Sequence, residues 1–217
     1  MRDWRKEGLE NFGIFEPFDT VGKYEIPVIR PVYELPDLKW TGFNYARGMS
    51  GIPPDVGVHF FLDDYQFNSV WLKPRKYLDM LGKFGAVMSP DFSTYSDMPI
   101  ALQMYNHYRK HWLAQFWQFY GITVIPTISW STPESYEWCF DGEPQGSVVA
   151  VSSIGTQDNK VSAELFRRGY REMTERLKPS VILCYGKAFD FMEGNIVGIE
   201  PFVKRFSSTV PKNACII

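Results

Sequence analysis

The chain has 217 residues, of which 45% are hydrophobic and 22% are charged, and its formal net charge is −2. The near-neutral charge, without any long basic block, argues against a broad electrostatic grip on duplex nucleic acid. No apolar run reaches the roughly eighteen residues of a membrane span. Three cysteines without CxxC spacing exclude a disulfide framework and favour a reducing cytoplasm.

The composition along the chain predicts three parts. Residues 1–20 form an irregular, charged arm without the apolar stretch of a signal peptide. Residues 21–203 form a single α/β domain, because no linker or repeat interrupts them. Residues 204–217 form a C-terminal tail.

The first third of the domain is irregular. Its strand candidates are Tyr24–Arg30, Trp40–Tyr45 and Val58–Asp64. Pro27 predicts that the first of these is an edge or irregular strand, since proline has no N–H to donate to a sheet. A helical stretch is expected near Pro74–Leu81.

Four short apolar runs then end abruptly in small polar or acidic residues: Phe84–Asp91, Thr123–Trp130, Ser147–Gly155 and Ser180–Gly186. Fully buried parallel strands have this continuous apolar character, and helices must connect them. Ligands of such folds bind at the carboxyl ends of the strands. The polar ends therefore predict where a site lies.

Helices are expected between these runs. Pro99–Tyr120 carries aromatic residues at spacings of three and four and is followed by Gly121. A shorter helix spans Pro133–Phe140, and Asn159 or Ser162 caps one that ends near residue 178. Asn195–Glu200 is the last strand candidate.

The alternation of strands and helices predicts the α/β class with parallel strands. Up to eight strand candidates favour a compact (β/α)-barrel-like single domain with an irregular first third. The chain is shorter than the roughly 250 residues of a typical (β/α)8 barrel. An open doubly wound parallel sheet is the alternative.

Three stretches carry a family resemblance: HFFLDDYQFNSVW (His59–Trp71), VMSPDFSTYSDMP (Val87–Pro99) and ITVIPTISW (Ile122–Trp130). They resemble the bacterial and phage family catalogued as domain of unknown function 4417. The resemblance covers about residues 20–200 and implies a prophage, plasmid or Gram-positive context and a cytosolic protein. It supplies no catalytic residues.

Asp64 and Asp91 are the candidate catalytic residues, because each closes a predicted strand. Two converging carboxylates serve glycoside hydrolysis as acid and as nucleophile or base. They equally hold Mg²⁺ for phosphate chemistry, although no motif requires a cofactor. The competing interpretation is structural, with Asp91 as a turn former and Asp64 as a cap.

Five residues at other strand ends are candidate substrate-binding residues: Ser129, Trp130, Ser153, Tyr185 and Lys187. The indole would stack a sugar or a base face, and the lysine would balance a phosphate. His107 and His111 share a helix face, but HYRKH lacks the glutamate of a zincin and places two cations between the histidines. We interpret this pair as an exposed polar flank and expect no metal site.

These features support three kinds of function. The first is an enzyme, of hydrolase or lyase type, that acts on a small polar substrate such as a sugar, nucleoside or nucleotide. The second is a non-catalytic protein that binds a nucleotide or a host protein. The third is a single-stranded nucleic-acid binder that uses aromatic and basic residues, which the near-neutral charge disfavours.

Overall fold

The structure is a computed structural model that describes residues 19–35, 37–51, 54–157 and 159–201. The predicted C-terminal tail and residues 1–18 of the predicted arm lie outside the described residues. Within the described ranges, no helix is both long enough and apolar enough to cross a membrane.

The first two strands form a small antiparallel pair, β1 (Thr20–Val21) with β2 (Ile26–Pro27). The predicted strand 24–30 is thus reduced to two residues, as expected for a segment that contains Pro27. Seven further strands follow in the chain: β3 (Lys39–Gly42), β4 (Val56–His59), β5 (Ala86–Met88), β6 (Val124–Ile125), β7 (Val148–Ser152), β8 (Val181–Tyr185) and β9 (Ile196–Ile199).

The helices are short in the first third and long afterwards. They are α1 (Phe43–Ala46), α2 (Asp64–Phe67), α3 (Ser69–Leu72), α4 (Leu78–Leu81), α5 (Ile100–Phe119) and α6 (Lys160–Leu177). Two 3-10 helices span Pro74–Tyr77 and Pro133–Glu137. Asn159 caps α6, because its side-chain oxygen accepts a hydrogen bond from the Ser162 N–H at 2.8 Å.

All seven later strands are parallel and neighbour one another in chain order. Strands β3 to β6 form one sheet, β7 to β9 form another, and a parallel bridge between Thr127 and Ala150 joins them. This confirms the α/β class with parallel strands. In the described part of the chain, no strand pairing closes β9 onto β3, so the sheet is open, as the alternative arrangement predicts.

Both faces of the central strands are buried, which explains their continuous apolar sequences. In β7, Val148 and Ala150 face the concave core, whereas Val149 and Val151 pack against the helices. The concave core receives side chains from all seven parallel strands or the residues just beyond them: Trp40, Phe61, Ala86, Met88, Ile125, Val148, Ala150, Leu183, Tyr185 and Ile199. A single cluster shared by the first and last strands requires a strongly curled sheet.

Helix α5 is buried on more than its aromatic face. His107, Lys110 and His111 are only 2%, 1% and 0% exposed, so the interpretation of this pair as an exposed polar flank is wrong. The physical reason is that the polar face lies against the segment around β2. There the side chains of α5 bond backbone carbonyl groups, with His111 Nδ1 2.8 Å from Pro27 O and Gln115 Nε2 2.7 Å from Val28 O.

Candidate functional site

A cavity of about 250 Å³ lies at the carboxyl ends of β5, β6 and β7. Loops after these strands form three of its walls, and the first turns of α6 form the fourth. Its lining residues are Asp91, Thr94, Tyr95, Ser96, Ile128, Ser129, Trp130, Ser131, Ser152, Ile154, Gly155, Thr156, Ser162, Leu165 and Phe166. Among the described residues that line it there is one carboxyl group and no basic side chain.

Asp91 is the titratable group of the cavity. Burial raises the pKa of its carboxyl group from 3.8 to about 7, although the positive charge of Lys110 lowers it; the negative charge of Asp64 raises it further. A carboxyl group with such a pKa carries a proton for part of the time at neutral pH. It can therefore both donate and accept a proton there.

Most of the polar side chains that line the cavity carry hydroxyl groups. One of them, Ser131, is only 5% exposed, and its Oγ has no hydrogen-bond partner among the described residues. A buried hydroxyl without a partner costs free energy that a ligand or water in the cavity would recover. Ser131 is therefore a lining residue whose buried hydroxyl group has no hydrogen-bond partner among the described residues.

Paired bonds fix the strand ends beneath the cavity. Thr127 N–H donates to Ser89 Oγ, and Thr127 Oγ1 donates to Ser89 O, both at 2.8 Å. Lys110 Nζ donates to Thr127 O at 2.8 Å from the side of α5. These bonds tie the end of β5 to the end of β6, so Asp91 and Trp130 extend from a rigid base.

Asp64 lies at the start of α2 and is engaged in structural contacts. Its Oδ1 accepts hydrogen bonds from Ser93 N and Ser93 Oγ, at 3.1 and 2.9 Å. Its Oδ2 lies 3.4 Å from Arg109 Nη2, and the Arg109 guanidinium lies over the ring of Phe92. Asp64 therefore holds the loop that carries Asp91, and it does not line the cavity.

The remaining predicted binding residues divide into two groups. Ser129 and Trp130 line the cavity together with Asp91. Ser153 is buried beside it, and its N–H donates to Tyr185 O at 3.0 Å. Tyr185 packs inside the curled sheet, and the exposed Lys187 accepts a hydrogen bond from Gln157 on its backbone oxygen. Neither Tyr185 nor Lys187 lines the cavity.

A buried ionic network lies between α5 and the loop that contains Glu143. Glu143 Oε1 accepts hydrogen bonds from Lys110 Nζ at 2.7 Å and His111 Nε2 at 3.0 Å. Burial raises the pKa of Glu143, but the positive charges and hydrogen bonds of Lys110 and His111 outweigh it, so the pKa is lowered. Burial, then the charges of His111 and Lys110, hold the pKa of His107 well below its usual value.

The ligand atoms of His107, His111 and Glu143 lie within 4.8 Å of one another, which is close enough to hold a metal ion. Both ring nitrogens of His111, however, lie within hydrogen-bond distance of oxygen atoms, Nδ1 at 2.8 Å from Pro27 O and Nε2 at 3.0 Å from Glu143 Oε1. The ammonium of Lys110 already occupies the position next to the carboxylate. With the ammonium in that position, the network forms an ion pair that joins α5 to the loop that contains Glu143.

Sequence reasoning missed several residues of this region. Phe166 and Tyr95 line the cavity, and no motif distinguishes them from ordinary core or loop residues. Glu143 pairs with Lys110 across 33 positions of the chain, from a loop without regular structure. The polar sequence HYRKH within an aromatic helix was the one available signal of the network, because buried charges require partners.

Comparisons with known proteins agree on a phage relationship. A family model described as "Domain of unknown function (DUF4417)" matches residues 18–203. The "Gene 1 protein" of Mycobacterium phage L5 is 43% identical over 171 residues, which cover 78% of this chain and 74% of that protein. The "Gene 1 protein" of Mycobacterium phage D29 is 41% identical over 171 residues, covering 78% of this chain and 63% of that protein. No solved structure matches the chain.

Proposed function

This chain belongs to the family described as Domain of unknown function (DUF4417), and we propose that it is an enzyme that acts on a small uncharged polar molecule in the cavity above β5, β6 and β7. Asp91 exchanges a proton with the substrate. The observation that carries this proposal is one carboxyl group with a pKa of about 7 in a hydroxyl-lined cavity. The reaction is of hydrolase or lyase type, in which one proton transfer accompanies bond cleavage.

The charge of the lining supports an uncharged substrate. Phosphate and carboxylate ligands are held by arginine, lysine or several backbone N–H groups. The described lining residues contain no arginine or lysine, and Asp91 becomes more negative as the pH rises above 7. A phosphorylated substrate would meet repulsion, whereas sugar and nucleoside hydroxyls would find matching donors and acceptors.

A non-catalytic binding protein is the second candidate, and the contacts of Asp64 favour it. The two-carboxylate mechanism needs a second free carboxylate near Asp91. The carboxylate oxygens of Asp64 are instead bonded to Ser93 and paired with Arg109. With one carboxyl group in the cavity, the protein would hold its ligand without cleaving it.

The test compares Asp91→Asn with the wild type in binding and in turnover. Ribose, adenosine, uridine and AMP are each added to both proteins, and the shift in Tm reports binding, because a ligand of the folded state raises Tm. We expect the uncharged compounds to stabilise the wild type more than AMP does. Asp97→Asn is the matched control, since Asp97 is exposed in the same loop and does not line the cavity.

Product analysis separates the two candidates. If a bound compound is converted by the wild type and by Asp97→Asn, and Asp91→Asn binds it without converting it, the chain is an enzyme. Binding without conversion by any variant supports the binding protein. Stronger stabilisation by AMP than by adenosine contradicts the uncharged ligand of both candidates, and equal conversion by Asp91→Asn and Asp97→Asn contradicts the proposed role of Asp91.

A further inference from the structure

The indole of Trp130 rests directly on Gly169, in the middle of α6. A methyl group added at Gly169 would overlap the Cδ1 and Nε1 atoms of the indole. Glycine is less favourable than alanine inside a helix, and Gly169 has ordinary helical backbone geometry. The glycine is therefore needed for space, and that space determines where the indole lies.

Phe166 holds the same indole from a second direction. Its ring centroid lies 5.2 Å from that of Trp130, with the two planes at 44°. Phe166 and Gly169 are three positions apart on α6, so they share one face of the helix. The indole is thus seated on α6 and forms part of the cavity wall in a fixed position.

Tyr95 is a second aromatic residue of the cavity, and it comes from a different loop. It lies in the segment between β5 and α5, which has no regular secondary structure, and it is 63% exposed. A large aromatic side chain at the rim of a cavity buries its face when a ligand with an apolar surface is present. The cavity therefore offers one seated aromatic group and one exposed aromatic group.

We infer that the cavity takes a nucleoside or a free nucleobase, whose planar ring lies against Trp130 and is covered by Tyr95. This inference rests on the proposed function and names its substrate class. A planar heterocycle has two apolar faces, whereas a sugar ring with its many hydroxyls has at most one such face. The volume of about 250 Å³ is below the usual range for drug-sized ligands, which begins at about 300 Å³, and suits one nucleoside.

The polar groups of the cavity fit the edge of such a ring. Ser131 Oγ is buried and has no partner among the described residues, and Asp91 carries a proton for part of the time at neutral pH. Hydroxyl and carboxyl groups in this state can each donate or accept a hydrogen bond. They satisfy the ring nitrogens and exocyclic groups of a base without requiring one particular base.

Isothermal titration calorimetry with adenosine, uridine and ribose tests the inference. We expect both nucleosides to bind the wild type at least about 10-fold more tightly than ribose, because stacking on an aromatic side chain contributes about that much or more. Trp130→Ala and Tyr95→Ala should each weaken adenosine binding, and Trp130→Phe should weaken it less than Trp130→Ala. Tyr33→Ala is the matched control, since Tyr33 is 69% exposed and does not line the cavity.

Gly169→Ala keeps every lining side chain and moves only the seat of the indole. We expect it to weaken adenosine binding about 10-fold while leaving ribose binding unchanged, since the displaced ring loses its stacking position. This variant and Trp130→Phe keep the test decisive if Trp130→Ala does not fold.

The outcomes distinguish this inference from the proposed function. If ribose binds as tightly as adenosine, and Trp130→Phe and Gly169→Ala leave adenosine affinity unchanged, the inference that a planar ring stacks on Trp130 is wrong. The proposed function still stands in that case, provided that ribose binding depends on Asp91. If adenosine, uridine and ribose all fail to bind the wild type, both are contradicted.

Discussion

The imidazole of His59, at the end of β4, lies against the ring of Tyr185, at the end of β8, with 4.8 Å between the ring centroids. Four strand steps separate β4 from β8, and a flat sheet would place them about 19 Å apart at ~4.8 Å per strand. The sheet must therefore curl until its two halves meet. Phe61 stacks on the same tyrosine at 4.9 Å. These aromatic rings fill the centre of the curled sheet at the carboxyl ends of its strands. This explains why the cavity lies to one side, above β5, β6 and β7.

The pKa of Asp91 predicts a pH-dependent stability that Asp91→Asn removes. Because the pKa is about 7 in the folded state and 3.8 in the reference state, the folded protein binds this proton more tightly. The wild type should then lose stability as the pH rises from about 4 to 7 and show the full cost above 7. One pKa unit is worth about 1.4 kcal/mol and the side chain is partly exposed, so we expect Asp91→Asn to be about 2 kcal/mol more stable at pH 8.

Urea unfolding at pH 4, 6 and 8 measures this difference. Asp91→Asn and the wild type should converge as the pH falls toward 4, because little of the cost of ionising the buried carboxyl group remains near its reference pKa of 3.8. Asp97→Asn should follow the wild type at every pH. Parallel curves for Asp91→Asn and the wild type would rule out the raised pKa.

Lys110→Met should be one of the most destabilising single changes in the chain. It leaves the buried carboxylate of Glu143 without its ammonium partner, which lies 2.7 Å away. Breaking a buried ion pair from one side costs about 3–5 kcal/mol. Because the pKa of Glu143 is lowered below 4.5, its contribution is present above that pH and is lost as the pH falls through the folded-state value.

The double variant Lys110→Met/Glu143→Gln isolates the cause. Removing the charge of the carboxylate should recover part of the stability that Lys110→Met loses, as measured by the free energy of unfolding in urea. Lys83→Met is the matched control, because Lys83 is exposed. A double variant less stable than Lys110→Met would show that the loss comes from packing and not from the unpaired charge.

Gly169→Ala should destabilise the protein when residue 130 is tryptophan and stabilise it when residue 130 is alanine. In the wild type the added methyl group meets the indole, and overpacking of this kind costs about 1–3 kcal/mol. In a Trp130→Ala background the obstacle is gone, and alanine should stabilise α6 by up to about 1 kcal/mol over glycine. A double-mutant cycle of unfolding free energies measures this coupling. Equal changes in unfolding free energy on Gly169→Ala in both backgrounds would show that the Trp130 indole does not rest on Gly169.

Asp64→Ala should destabilise the protein and retain adenosine binding, because Asp64 does not line the cavity. The variant removes the acceptor of Ser93 N–H and the charge next to Arg109, which we expect to cost about 1–3 kcal/mol. Asp63→Ala, at the exposed neighbouring position, should stay within about 0.5 kcal/mol of the wild type. Thermal unfolding gives both values. If Asp64→Ala keeps wild-type stability and loses adenosine binding, Asp64 contacts the ligand directly.

The sequence predicts strand positions best where a strand is buried on both faces. Strands β7 and β8 are covered on both faces, so their apolar runs were recognisable, and parallel pairing then brings the residues after β5 and β6 together. Asp91, Ser129 and Trp130 were placed at one end of the sheet for this reason, and the structure lines one cavity with all three. Parallel topology alone is sufficient for that inference.

Side-chain direction and long-range pairing were not predictable in the same way. The Ser153 hydroxyl turns inward and donates to Tyr185 O at 3.4 Å, whereas the neighbouring Ser152 and Ile154 line the cavity. This difference depends on one residue of register. Tyr185 shares the inward face of β8 with Leu183, so it fills the core. The burial of His107 and His111 depends on acceptors supplied by distant segments, which no local pattern contains.

The bridge between β6 and β7 lies beneath the cavity, so a ligand bound there would reinforce it. Two hydrogen bonds of 2.8 Å hold the bridge together, from Ala150 N to Pro126 O and from Ile128 N to Ala150 O. The cavity lies above this bridge, with Trp130 in the loop after β6 and Thr156 in the loop after β7. A molecule that contacts both residues would bridge the two sheets at this point, and we expect the amide of Ile128 to exchange its hydrogen more slowly when adenosine is present.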